Sequence, residues 1–406
     1  MRGIFYGWIV VFASAAIVCI SLGCLFSLGV FLVPIERAMG WSRGAISTVA
    51  LLNWMAMGLG SFCWGALSDR IGGRGVALGG GVLLGLGLVL SSQAQALWQF
   101  FLTFGFVVGF AAGAFYAPLT ATTTKWFTAR RGLAVSLVSA GIGLGILLIA
   151  PLARALTSAW DWRVAMLVLG DLAWLVVIPV ALLLREPGPG DVPAVTTAAP
   201  AGREYTTRGV LSTPQFWVIA LTHFACCAAH SGPIFHMVTH ATDRGVGTMA
   251  AATVFGISGL ASIAGRVGGG LLADRFGAKR TLIAGLALQA AMIFGYLFAG
   301  DLLSFVALAL VFGAAYGGVM PLYALVTREY FGEKVMGSAY GAVFLVSTLG
   351  MGLGSFAGGA IYDRLGAYTW LFLGSFAIGT MAVMLALAFR RPRAHALDFA
   401  EVPVAH

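Results

Sequence analysis

Charge is what this 406-residue sequence has least of: Asp, Glu, Lys and Arg together make up only 10% of it. A soluble domain carries about 25% charged residues, so a water-facing globular surface cannot be built from this composition. Cysteine is scarce as well. All five (Cys19, Cys24, Cys63, Cys226 and Cys227) fall inside apolar runs. That placement gives no disulfide framework and no metal spacing, and the thiols read as small apolar packing residues. There is no Gly-x4-Gly-Lys-Ser/Thr loop for nucleotide phosphates, and no nucleophile and base constellation stands out. The chain therefore reads as neither an enzyme nor an ATP-driven machine, with no cofactor to hold. Short alternating apolar and polar segments, which would signal an outer-membrane barrel, are missing too.

What is present is apolar. Hydrophobic residues make up 60% and the mean hydropathy is +0.94. Roughly 20 apolar residues cross a hydrocarbon core about 30 Å thick. Twelve runs meet that length, near 7–33, 44–66, 76–94, 97–123, 132–155, 163–184, 214–239, 249–272, 280–299, 302–327, 335–361 and 368–389. They are rich in Gly, Ala and Leu, as packed membrane helices are. The first is too long, and too closely followed by others, for a cleaved signal peptide, and is kept as helix 1.

The net charge is +9, but the basic residues are spread over short loops, which indicates topology and excludes a nucleic-acid partner. With the N-terminus inside, seventeen Lys and Arg, among them Arg70, Lys125, Arg185, Arg275 and Arg390, lie on the cytoplasmic side. Six (Arg37, Arg43, Arg154, Arg163, Arg244 and Arg364) lie outside. Both termini are therefore expected in the cytoplasm, and the chain in the plasma membrane, a bacterial inner membrane.

A Pro-, Gly- and Thr-rich stretch after helix 6 divides the chain into equal parts. The expected domains are a six-helix bundle at 1–185, a linker at 186–212, a second six-helix bundle at 213–392 and a tail at 393–406. The halves echo each other. Gly65-Ala-Leu-Ser-Asp69-Arg70-Ile-Gly72-Gly-Arg74 returns 205 residues later as Gly270-Leu-Leu-Ala-Asp274-Arg275-Phe-Gly277-Ala-Lys-Arg280. Lys125-Trp-Phe127 with Arg130-Arg131-Gly132 is echoed by Arg328-Glu-Tyr-Phe331 with Lys334 and Gly337. A loop chemistry repeated at one offset is what duplicated six-helix halves produce. The first loop resembles the signature of the major facilitator superfamily between helices 2 and 3. The resemblance implies that superfamily's fold, twelve helices in two bundles about a pseudo-twofold axis. Asp69 and Asp274 can pair with a basic group or cap a neighbouring helix end, so Asp69, Arg70, Arg74, Asp274, Arg275 and Arg280 are the candidate gating residues.

Narrower features point further. Helix 1 opens Tyr6-Gly-Trp8-Ile-Val-Val11. Helix 5 opens Trp126-Phe127-Thr-Ala-Arg130-Arg131-Gly132-Leu133-Ala134, with Ala140-Gly141 following, and helix 7 exits through His240-Ala-Thr-Asp243-Arg244-Gly245. Together these resemble the monocarboxylate transporter family, with the bacterial oxalate/formate antiporters as near relatives, over nearly the whole chain.

A charge inside a span costs at least about 2.5 kcal/mol, so a surviving one marks function by default. Two stand deep here. Arg266 lies in helix 8, eight residues before Asp274 and hence about 12 Å from the cytoplasmic end. Its planar, permanently charged fork matches a carboxylate bidentately. The resemblance implies the same role, since an arginine in helix 8 is that family's carboxylate ligand. The animal branch places an aspartate one turn earlier, where Ser262 stands here. The oxalate transporter's second cation, in helix 11, also has no counterpart, as 335–361 contains no Lys or Arg. A single positive charge favours a monoanion. Asp171 in helix 6 is the second deep charge, either a proton acceptor or a partner of Arg154.

Candidate cavity residues are Asn53, Tyr116, Tyr316 and Tyr340, with Leu28 and Phe344 as apolar walls for a short acyl chain. Tyr116 matches a substrate-contacting tyrosine implied by the resemblance. His223 and His230, seven residues apart on one face of helix 7, are candidate proton carriers. The expected function is alternating-access transport of a small monocarboxylate such as lactate or pyruvate, by proton symport. Carboxylate exchange of the oxalate/formate type and export of hydrophobic drugs are the rival readings.

Overall fold

The computed structural model describes residues 5–41, 43–188, 190–191 and 205–390. The tail at 393–406 and most of the linker lie outside that set. The described chain is helical, and ten of its helices are long and apolar enough to cross a membrane. One of the ten, Thr48–Ser92, is 45 residues long. At 1.5 Å per residue it measures about 68 Å, twice a bilayer core, and it crosses twice. Ala278–Gly295 supplies the twelfth crossing.

The membrane helices are numbered in chain order. α1 is Tyr6–Phe26, continued after a break at Ser27 by Leu28–Met39. α2 and α3 form the helix Arg43–Ser92, folded over at Gly72, and α4 runs in pieces from Leu97 to Trp126. α5 is Arg131–Ala159 and α6 is Trp162–Ala181. A short linker helix, Thr207–Leu211, precedes α7, Pro214–Asp243. α8 is Thr248–Phe276, α9 is Ala278–Gly295, and α10 is Leu302–Val319 continued by Leu322–Phe331. α11 is Met336–Leu365 and α12 is Thr369–Leu387.

The sequence separates helices 2 and 3 by a nine-residue loop, but the backbone turns within one residue. Gly72 takes φ 79°, and its repeat equivalent Gly277, between α8 and α9, takes φ 89°. Only glycine enters that region without strain, so both turns stay short and carry their aspartates close to the helix ends. Glu186, the first residue of the expected linker, pairs with Lys125 at 2.9 Å and accepts the Gly73 N–H at 3.3 Å.

The helices lean on one another through small residues. A Cβ on Gly65 would collide with the carbonyl of Gly337, and one on Gly270 with that of Gly132. α2 therefore crosses α11, and α5 crosses α8, backbone against backbone, which is how membrane helices gain dispersion contact without a hydrophobic driving force. These two crossings join the halves on the face that also carries the linker.

Candidate functional site

Two carboxylates clamp the halves together on the linker face. Asp69, at the end of α2, accepts the N–H groups of Gly337 and Ser338 in the first turn of α11, both at 2.8 Å. Asp274, at the end of α8, accepts those of Gly132 and Leu133 in the first turn of α5, at 2.6 and 3.0 Å. The offset of 205 relates the donors as it relates the acceptors, so the two latches are copies. Each places a negative charge on the positive end of a helix dipole and satisfies two of its orphan N–H groups. Of the two options the sequence leaves open, capping is the one realised. Arg70, Arg74, Arg275 and Arg280 are exposed and take no part in these caps.

Above the latches, residues from both halves converge on Arg266. α4 unwinds at 113–115 and restarts at Tyr116, and α10 is interrupted at the repeat-related place, 320–321. The Tyr116 hydroxyl donates to Ser139 of α5 at 3.1 Å, and Arg266 of α8 donates from Nη1 to the same oxygen at 2.5 Å. Arg266 is 6% exposed, and its Nε has no partner. No carboxylate pairs with it among the described residues. Tyr340 and Phe344 of α11 close the group from the other half, with ring centroids 6.1 and 5.5 Å from that of Tyr116. The Tyr340 hydroxyl is buried, with no hydrogen-bond partner among the described residues.

The histidines flank this group. His223 stacks on Tyr323 at 3.8 Å and lies 6.4 Å from Phe344, with its Nδ1 unpartnered. His230 stacks on Tyr316 at 5.4 Å, and its Nδ1 sits 2.7 Å from the Cys226 carbonyl oxygen.

Three candidates fall elsewhere. Asn53 donates to the Phe104 carbonyl at 2.7 Å, tying α2 to the π-helical turn of α4. Leu28 is buried beyond the break in α1, 22 residues and about 33 Å from Tyr6. Arg266 stands only about 15 Å from the linker-face end of its helix, so the two are at different depths. Asp171 is exposed on the outer surface of α6, and it forms no ion pair with Arg154 among the described residues. Ser139 is the residue the sequence reading missed; one hydroxyl in a Ser-, Gly- and Ala-rich run carries no signal of its own. Ser139→Ala should leave Arg266 with no hydroxyl partner. We expect a rise of about tenfold to a hundredfold in the apparent KM, the worth of one hydrogen bond to a charged group, measured as initial uptake rates.

Twelve membrane crossings in two halves joined on the linker face, with Arg266 buried where the halves meet, are the build of a membrane transporter. The chain belongs to the major facilitator superfamily, whose family model matches residues 11–355 and 268–404, and within it to the monocarboxylate transporters. It is 31% identical to monocarboxylate transporter 11 of Homo sapiens, over 91% of this chain and 79% of that one. Monocarboxylate transporter 13 of Bos taurus is 28% identical over 94% and 89%. Among solved structures, FucP, a major facilitator transporter in the outward conformation, superposes with a TM-score of 0.74 at 16% identity, covering 94% of this chain and 99% of that one. The proton:xylose symporter XylE gives 0.73 at 16% identity, over 95% and 96%.

Proposed function

We propose that this chain carries a small organic monocarboxylate, of lactate or pyruvate size, across the plasma membrane with a proton, and that Arg266 is the anion's ligand. The observation that carries the reading is a buried guanidinium whose one partner among the described residues is the Ser139 hydroxyl. A charge that costs several kcal/mol to bury is retained where a ligand completes it. The carboxylate takes the unmet donors of Arg266, and the Tyr340 hydroxyl supplies a further one. Tyr116 and Phe344 would wall a short acyl chain, and the single cation favours a monoanion. The linker face is the cytoplasmic one, on the excess of Lys and Arg there, and the bilayer is a bacterial inner membrane.

With no aspartate beside Arg266, the proton travels on an imidazole. His230 is the candidate taken here, its ring stacked on Tyr316 and its Nδ1 held 2.7 Å from the Cys226 carbonyl oxygen. A bound anion cancels the arginine's charge, and the proton on His230 restores one net positive charge before the carrier reorients. The test is uptake of labelled L-lactate into proteoliposomes with and without an inward proton gradient. The wild type should accumulate lactate above equilibrium under the gradient. His230→Gln should still equilibrate lactate but lose gradient-driven accumulation. Flux that requires an internal carboxylate and ignores the gradient would turn the reading into exchange, and accumulation intact in His230→Gln would remove that imidazole from coupling.

A further inference from the structure

One sizeable cavity lies outside the transport path. It is a groove of about 730 Å³ on the membrane face of α8, α9 and α10. It exists because α8 and α10 cross at backbone contact: a Cβ on Gly265 would strike the Ala314 carbonyl, and one on Gly269 the Gly318 carbonyl. The small residues that permit this crossing leave a trough with nothing to fill it, and a Cβ added to Gly268 meets no atom within 4 Å. An apolar trough left empty forfeits dispersion contacts along its whole wall, and in a bilayer the group at hand to restore them is an acyl chain.

The dimensions fit one leaflet. Along α8 the lining runs from Ala264 to Phe276. Twelve rises of 1.5 Å make about 18 Å, against about 15 Å for half of the hydrocarbon core. The groove starts at the linker-face end, where Arg280 is the one charged residue in its wall. Arg280 is exposed and makes no hydrogen bond or ion pair among the described residues. Its neighbours are occupied. Thr281 donates to the Gly277 carbonyl, Lys279 to the carbonyls of Leu387 and Phe389, and Asp274 is held in its latch. Arg280 thus stands at headgroup depth, above an apolar slot as long as one chain.

We infer that this groove binds an acyl chain of an anionic phospholipid from the linker-face leaflet, with the headgroup held by Arg280. The lipid backs the turn of α8 that carries Arg266, since Gly265 lies in the groove wall. The inference is independent of which substrate the carrier moves.

The test is native mass spectrometry of the full chain after delipidation, offered equal phosphatidylglycerol and phosphatidylcholine with the same chains. The wild type should retain one lipid and prefer the anionic one about fivefold, the worth of one cation at an anionic interface. Arg280→Gln should bring the preference to parity with a lipid still bound, and Gly268→Leu, which fills the slot, should lose the retained lipid. Parity in the wild type, or an unchanged preference in Arg280→Gln, would overturn the headgroup assignment. A second measurement does not depend on either variant folding. Phosphatidylglycerol with a photoreactive group in its acyl chain should label the wild type on α8, α9 and α10, and labels spread evenly over all membrane-facing helices would overturn the groove as a site.

Discussion

Arg266→Gln is expected to lower carboxylate uptake by at least about thirtyfold while leaving the protein as stable as the wild type or more so. The two halves of that expectation have different physical origins. Losing a buried, hydrogen-bonded charge partner costs a bound anion 2–5 kcal/mol or more, and the lower bound is about thirtyfold. In the empty carrier the balance runs the other way. Arg266 is 6% exposed, meets one hydroxyl, and leaves its Nε without an acceptor. A neutral glutamine removes that desolvated charge, so the thermal midpoint of unfolding in detergent should hold or rise. Arg266→Lys should fall between, because it keeps the charge and loses the fork that grips both carboxylate oxygens. A lower midpoint in Arg266→Gln with flux intact would mark the arginine as structural and take it out of the site.

The spans were legible because lipid leaves a chain few choices: backbone groups must be satisfied within a helix, and each crossing needs a long apolar run. The repeat was legible too, since Asp69 and Asp274 sit in the same loop chemistry at one offset. What the loops contact was not. Each aspartate caps a helix of the opposite half, Asp69 with Gly337 and Asp274 with Gly132, and a pattern repeated within halves carries no sign of a pairing between them. Asp171 misled for a related reason. Apart from Arg163 and Asp171, α6 is apolar on every side, so periodicity does not show which side is buried, and the structure turns that carboxylate outward. Arg266 was legible from its cost alone. Its partner Ser139 was not, because a serine in a membrane helix can bond its own backbone as Ser21 does to Ile17, and needs no function to be there.

Asp69→Asn combined with Asp274→Asn should release the linker face, and the size of the release follows from the two latches being copies. Each carboxylate receives two backbone N–H groups at a helix N-terminus. An asparagine keeps one acceptor and loses the charge, at a cost of about 2 kcal/mol, within the range for one hydrogen bond to a charged group. Both latches exist only while the halves are closed on that face, so each loss falls entirely on the closed state. The latches lie on different helix pairs and share no partner, so their costs add. A single variant should therefore move the closed-to-open ratio about thirtyfold, and the double variant about a thousandfold. Spin labels on exposed Arg70 and Lys334, one in each half, would report this directly as a longer distance in the double variant. Uptake should follow the populations: a substrate that enters from the face opposite the linker meets fewer competent carriers, so the apparent KM rises as the closed fraction falls. Equal distance distributions in the wild type and the double variant would show that the glycine crossings at Gly65–Gly337 and Gly132–Gly270 hold the face shut without the carboxylates.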